Sequence, residues 1–165
     1  MPTSHASLES IQAFLAQNRF AMVGLSRHAK DFSAMLFQEF VRRGYDVLPV
    51  NPNAKEILGH ACFARVQDIQ PPVEAALLMT SPQVTEAVVP DCAAAGIRQI
   101  WMYGIGGKGA VSAKALAFCQ ERGIEVIPGE CPFMFFPNNG FHLLHGLWNK
   151  LTGQYPQRKA DSHAA

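Results

Sequence analysis

Charge is scarce in this chain. Only 16% of its 165 residues are Asp, Glu, Lys or Arg, and 14 basic against 13 acidic residues leave a net charge of +1. Nucleic-acid and membrane-surface binders carry a basic excess, so this near-balance argues against both classes of partner. Long apolar runs are missing too: none nears the roughly 20 residues needed to cross a bilayer. The first residues lack the basic-then-apolar order of a secretory signal, which sets a cytoplasmic protein as the expectation. The four cysteines, Cys62, Cys92, Cys119 and Cys131, are scattered with no CxxC pair. Two of them fall inside helical patterns, which predicts buried free thiols in a reducing compartment.

What the chain does have is apolar content. Hydrophobic residues make up 48% of it, and a single domain of this length buries roughly two thirds of its unfolded surface. The organising stretch is Phe20-Ala21-Met22-Val23-Gly24-Leu25-Ser26-Arg27-His28. It is an apolar run closing on glycine, then a polar and basic turn, then a helix starting near Asp31 or Ser33. A buried strand that breaks on glycine and feeds a helix turns backbone N–H groups outward, where they can take up an anion.

The remainder reads as further strand-then-helix units. Helical spacing behind a Ser7 cap predicts a helix over 8–17, a strand over 20–25, a helix over 33–43 ended by Gly44, and a strand over 45–50 closed by Asn51-Pro52. Residues 54–58 read as a short turn. A doubly buried strand follows over 73–79. Ser81-Pro82 then starts a helix in which Pro90 predicts a kink or break. A strand over 99–103, a glycine-rich loop over 105–109, a helix over 111–122 and a strand over 124–127 complete the alternation. About five such units imply a mostly parallel sheet with helices on both faces. Beyond it, Cys131 to Phe136 is rich in aromatics, and Phe141, Leu144, Trp148 and Leu151 mark an amphipathic C-terminal helix.

In open α/β sheets ligands sit outside the strand carboxyl ends, so Gly24, Asn51-Pro52, Thr80-Ser81-Pro82 and Tyr103-Gly104 outline a crevice. The first turn has one glycine where the dinucleotide fingerprint GxGxxG has three, with Ser26 at the second glycine's place. Strand 2 ends on Asn51 instead of the acidic residue that binds a ribose 2′-hydroxyl, which disfavours NAD. NADP stays open, because Arg27 can take a 2′-phosphate. His142 and His145 with Cys131 match no established zinc spacing. The Gly106-Gly107-Lys108-Gly109 stretch lacks the spacing and hydroxyl of a nucleoside-triphosphate loop. Cys131 is the one candidate reactive thiol, and ordinary burial of that residue is the simpler reading.

Taken together, Val23-Gly24-Leu25-Ser26, the run from Gly44 to Pro52, Ile57-Leu58-Gly59 and Val66-Gln67-Asp68-Ile69 resemble the CoA-binding domain family. So do Thr80-Ser81-Pro82 with Pro90, Cys92 and Gly96, the strand at Ile100-Trp101, and Gly123 to Ile127 leading to Cys131-Pro132. This is the Rossmann-like domain that opens succinyl-CoA synthetase alpha subunits and ADP-forming acyl-CoA synthetases. The likeness spans about residues 19–132. It implies a five-stranded parallel sheet holding the ADP part of CoA or an acyl-CoA, with Gly24, Ser26 and Arg27 toward the phosphates. Asn51 and Pro52 would border the adenosine, and Thr80, Ser81 and Pro82 would close the opposite wall. Stand-alone relatives often carry arginine at Thr80 and glutamine at Tyr103, which leaves phosphate pairing here to Arg27 or Lys30. No histidine sits in the phosphohistidine motif of the synthetases.

The expectation is thus one Rossmann-like α/β domain over 1–152, with a core over 19–132, an extension over 133–152 and a flexible tail over 153–165. It would bind CoA or an acyl-CoA without catalysis of its own, and the C-terminal aromatics offer a homodimer face. The alternatives are an NADP-dependent oxidoreductase and a regulatory module whose nucleotide crevice is unused.

Overall fold

The computed structural model describes residues 6–105 and 108–136. Helix α1 (Leu8–Ala16) starts on Ser7, whose hydroxyl accepts the Ser10 N–H at 3.0 Å. It leads into β1 (Arg19–Val23), then α2 (Phe32–Arg42) and β2 (Asp46–Val50). A two-stranded hairpin follows, β3 (Glu56–Ile57) with β4 (His60–Ala61), in place of the simple turn expected there. Leu58 and Gly59 at its tip have φ of 51° and 78°, the left-handed pair that a two-residue hairpin turn demands. The chain continues through β5 (Ala75–Leu78), α3 (Pro82–Ala94), β6 (Gln99–Ile105), β7 (Lys108–Gly109), α4 (Ala113–Glu121) and β8 (Glu125–Glu130).

Five strands lie parallel in the order β2-β1-β5-β6-β8, as the alternation implied. From β1 the chain moves to one side for β2 and to the other for β5, so the strand order reverses on β1 and opens a crevice there. Both faces of the sheet are covered, which explains the unbroken apolar runs. Phe20, Met22, Leu77, Trp101 and Ile127 face α1 and α2, with Phe14, Phe37 and Phe40 packed on them. Ala21, Val23, Ala76, Leu78, Ile100 and Met102 face α3 and α4, with Val89, Cys92, Ala115 and Cys119. Edge-on aromatic contacts bind the first layer: Phe14 to Trp101 at 5.3 Å and Phe20 to Phe40 at 4.9 Å.

Two local expectations are corrected. Helix α3 runs through Pro90 without a break. The ring sits on the exposed side, while Val89 and Cys92 beside it anchor the turn in the core. Of the stretch read as a glycine-rich loop, Ile105, Lys108 and Gly109 are instead strand: β6 extends to Ile105 and β7 pairs back on it antiparallel. Gly109 (φ 138°) is required there, since a Cβ would lie 2.2 Å from the Tyr103 carbonyl oxygen.

After β8 a 3-10 turn (Pro132–Phe135) lays its aromatics on the α2 side of the core. Phe136 meets Phe40 at 4.9 Å and lies under the Arg43 guanidinium at 4.4 Å, while Phe133 meets Phe32 at 5.5 Å. These contacts pack Phe133 and Phe136 within the chain, against α2. The expected C-terminal helix, with Phe141, Leu144, Trp148 and Leu151, and the pair His142 and His145 lie outside the described residues. Among those described, no helix is long and apolar enough to cross a membrane.

Candidate functional site

The crevice begins where β1 stops. Gly24 has φ +85°, and a Cβ there would stand 2.7 Å from the Met79 carbonyl oxygen and 2.9 Å from its carbon. The turn therefore lies directly on the end of β5, an approach only glycine permits. The Met79 N–H donates to Val23 at 2.8 Å and the Gly24 N–H to Val50 at 3.4 Å, tying together the ends of the three strands. Leu25 is buried and pins the turn to the core, while Arg27, His28 and Lys30 stand exposed.

Beyond the glycine the turn is braced by its own side chains. The Ser26 N–H donates to Ser33 Oγ at 3.0 Å, and the Ser26 hydroxyl donates to Asp31 Oδ2 at 2.5 Å while accepting the His28 N–H at 3.1 Å. Asp31 stands at the cap position of α2 but makes no side-chain bond to the helix N–H groups. Its carboxylate thus sits at the positive end of α2, where the helix dipole favours an anion.

Across from this turn, Ser81 caps α3 by accepting the Val84 N–H at 3.4 Å, and Pro82 occupies the first helical turn. The Thr80 and Thr85 hydroxyls share a hydrogen bond of 2.6 Å. Between the two walls lies a crevice of about 560 Å³, lined by Asp31, Phe32, Ser33, Met79, Thr80, Ser81, Pro82, Tyr103 and Gly109. Phe32 and Tyr103 meet at a ring separation of 5.3 Å and form its aromatic side.

This crevice at the carboxyl ends of a parallel sheet has relatives. Residues 18–137 match the CoA binding domain family. The chain belongs to that family. It is 26% identical over 113 residues to YneT, an uncharacterised protein of Bacillus subtilis, covering 68% of this chain and 81% of YneT. It is also 26% identical over 129 residues to an ADP-forming acetate–CoA ligase of Archaeoglobus fulgidus. That match takes in 73% of this chain but only 19% of the ligase. A hypothetical protein from Pyrococcus horikoshii has a solved structure that aligns with a TM-score of 0.72 at 26% identity, over 80% of this chain and 91% of that one.

Within this CoA-binding domain the residues singled out from the sequence fall into three places. Thr80, Ser81 and Pro82 line the crevice wall. Gly24, Ser26 and Arg27 form the turn at its side, with the Ser26 N–H and hydroxyl already engaged. Asn51 and Pro52 lie at the end of β2, on the far side of β1, and do not line the crevice. Asn51 is a bracket: its Nδ2 donates to the Leu25 carbonyl at 3.3 Å and its Oδ1 accepts the Asn53 N–H at 2.9 Å.

Sequence reasoning passed over Asp31, Phe32 and Met79 as wall residues. Asp31 had a readable signal as a helix cap, but its bond to Ser26 depends on the shape of the turn.

Burial shifts the titratable groups where β6 and β8 end beside the crevice. Burial pushes the Cys131 thiol up to about 11 and raises the Tyr103 phenol. Burial also lifts the Glu130 carboxyl to about 7. A thiol so shifted is a poor nucleophile. Cys92 and Cys119, pushed up to about 12 and about 11 by burial, are equally unreactive, and all four cysteines are free. No group of three or more His, Cys, Asp or Glu suited to a metal occurs among the described residues.

Proposed function

We propose that this domain binds CoA or an acyl-CoA through its ADP part, in the crevice at the strand carboxyl ends, without chemistry of its own. Gly24 carries the reading. Its missing side chain lets the β1 turn close on the backbone of β5, so a diphosphate can lie between the turn and α3. Arg27 and Lys30 are exposed cations of the same turn, and family membership supplies the ligand class. The Archaeoglobus protein is named for ligating acetate to CoA, and this chain spans only 19% of it. Shared CoA handling is therefore the part of that activity brought to this domain. Binding without reaction is favoured because the Ser26 and Ser81 hydroxyls serve the turn and the α3 cap, and the Cys131 thiol stays protonated.

Calorimetric titration with CoA, alone and in competition with ADP, tests this directly. Micromolar CoA binding weakened by ADP is expected. A charge-assisted hydrogen bond contributes roughly 1.5–3 kcal/mol, so Arg27→Ala is expected to weaken binding at least about tenfold. Competition by pantetheine but not by ADP would move the ligand out of the phosphate turn and overturn the assignment.

A further inference from the structure

Strand β8 does not stay in register to its end. Pro128 pairs with Met102, yet the next pair is Tyr103 with Glu130, so Gly129 (φ 75°) is an extra residue bulged from the ladder. Side chains alternate along a strand, and without the bulge Glu130 would share the face of Pro128 and Met102. The bulge turns it to the face of Tyr103, whose ring lines the crevice and meets Phe32. The placement is secured from beneath, where the Trp101 indole N–H donates to the Glu130 carbonyl at 2.9 Å. Among the described residues, the titratable groups beside it are Tyr103 from β6 and Cys131 next in the chain. Both are raised by burial and so uncharged near neutral pH. Burial alone holds the Glu130 carboxyl near 7, so a large fraction of it carries a proton there.

The strand ladder serves as a ruler. Neighbouring strands lie ~4.8 Å apart, so the three steps from the β1 turn across β5 and β6 to β8 cover about 14 Å. A ligand with its diphosphate on the β1 turn would lay its extending arm past Pro82 and Tyr103 and end beside Glu130. Phe32, Met79, Pro82 and Tyr103 give that route its apolar walls, while the polar Asp31, Ser33, Thr80 and Ser81 lie toward the β1 turn and the end of β5. An apolar trough that leads toward Glu130, one strand beyond the lining residue Tyr103, suits an acyl group whose thioester carbonyl needs a hydrogen-bond donor.

Building on the CoA reading above, we propose that this trough is an acyl subsite, in which the Glu130 carboxyl donates to the thioester carbonyl and selects acyl-CoA over free CoA. A protonated carboxyl donates, whereas an ionised one only accepts. The preference therefore falls as pH rises through the region where Glu130 ionises.

The test is the ratio of acetyl-CoA to CoA affinity, measured by titration calorimetry at pH 6 and pH 8. The ligand phosphates titrate near pH 6 but are common to both ligands and cancel in the ratio. For the wild type a preference for acetyl-CoA of at least about fivefold at pH 6, from one hydrogen bond of ~1 kcal/mol, is expected to shrink toward one at pH 8. Glu130→Gln, whose amide donates at any pH, is expected to keep the preference at both values, and Glu130→Ala to show none at either. Because each ratio is taken within one protein, CoA affinity reports whether the variant is folded. A wild-type ratio that does not change with pH, or a wild-type ratio in Glu130→Ala, would overturn the subsite while leaving CoA binding intact. Failure of the wild type to bind either ligand would defeat the CoA reading and the subsite with it.

Discussion

Replacing Gly24 by alanine probes the crevice at its foundation. Two separate effects add at that position. The φ of +85° is left-handed, which disfavours an L-residue by roughly 1–2 kcal/mol. The new Cβ would also stand 2.7 Å and 2.9 Å from the Met79 carbonyl group, which belongs to the end of β5 and cannot rotate aside. Relieving that contact means shifting one strand end from another, an overpacking effect of roughly 1–3 kcal/mol. The sum, about 2–5 kcal/mol, lowers the melting temperature by roughly 5–15 °C for a chain of this size. Gly44→Ala supplies the control, since its φ is +89° but nothing lies within 4 Å of its Cβ. That variant carries the conformational effect alone, roughly 1–2 kcal/mol. Thermal unfolding followed by circular dichroism separates the two, and CoA titration of both variants reads the site. Equal losses of stability, or unchanged CoA affinity in Gly24→Ala, would refute the claim that the turn needs direct backbone contact with β5.

Stability should also depend on pH through Glu130. Its folded value of about 7 lies above the ordinary 4.5, so the native state binds the extra proton between those values. Stability from this group is complete below about 4.5 and falls as pH rises through 7. Each pH unit of difference corresponds to about 1.4 kcal/mol, and partial exposure discounts the total to about 1–2 kcal/mol. Glu130→Gln should therefore match the wild type at pH 4.5 and exceed it by about that much at pH 8 in urea denaturation; a variant no more stable at pH 8 would count against a buried carboxyl. Asp31 places a carboxylate at the side of the anion turn, so Asp31→Asn should tighten CoA binding a few-fold at low ionic strength, with the gain fading in high salt. Unchanged affinity in low salt would mean the phosphates lie elsewhere.

Much of this was written in the sequence where local chemistry decides structure. The run from Phe20 to Val23 ending on Gly24, and the cap at Ser81 followed by Pro82, announce a strand end and a helix start within a few residues, and both are found there. The parallel sheet followed from alternation of such units. Three features were not legible because they depend on relations between elements. Asp31 reads as a helix cap, yet its carboxylate turns to Ser26 once the loop closes. Pro90 reads as a kink or break, yet the helix continues past it with Val89 and Cys92 buried beside it. Glu130 falls on the wrong face under strict alternation, and only the pairing with Tyr103 reveals that Gly129 shifts it by one position. A glycine inside a strand was the available signal for that bulge.

In the proposed function the crevice on β1 takes the ADP part of CoA. Parallel calorimetric titrations of the protein with CoA, NAD and NADP test it most directly. Micromolar binding of CoA with no heat from the two dinucleotides is the predicted result. Clear binding of NADP with silence from CoA would contradict it, and would assign Arg27 to a 2′-phosphate instead.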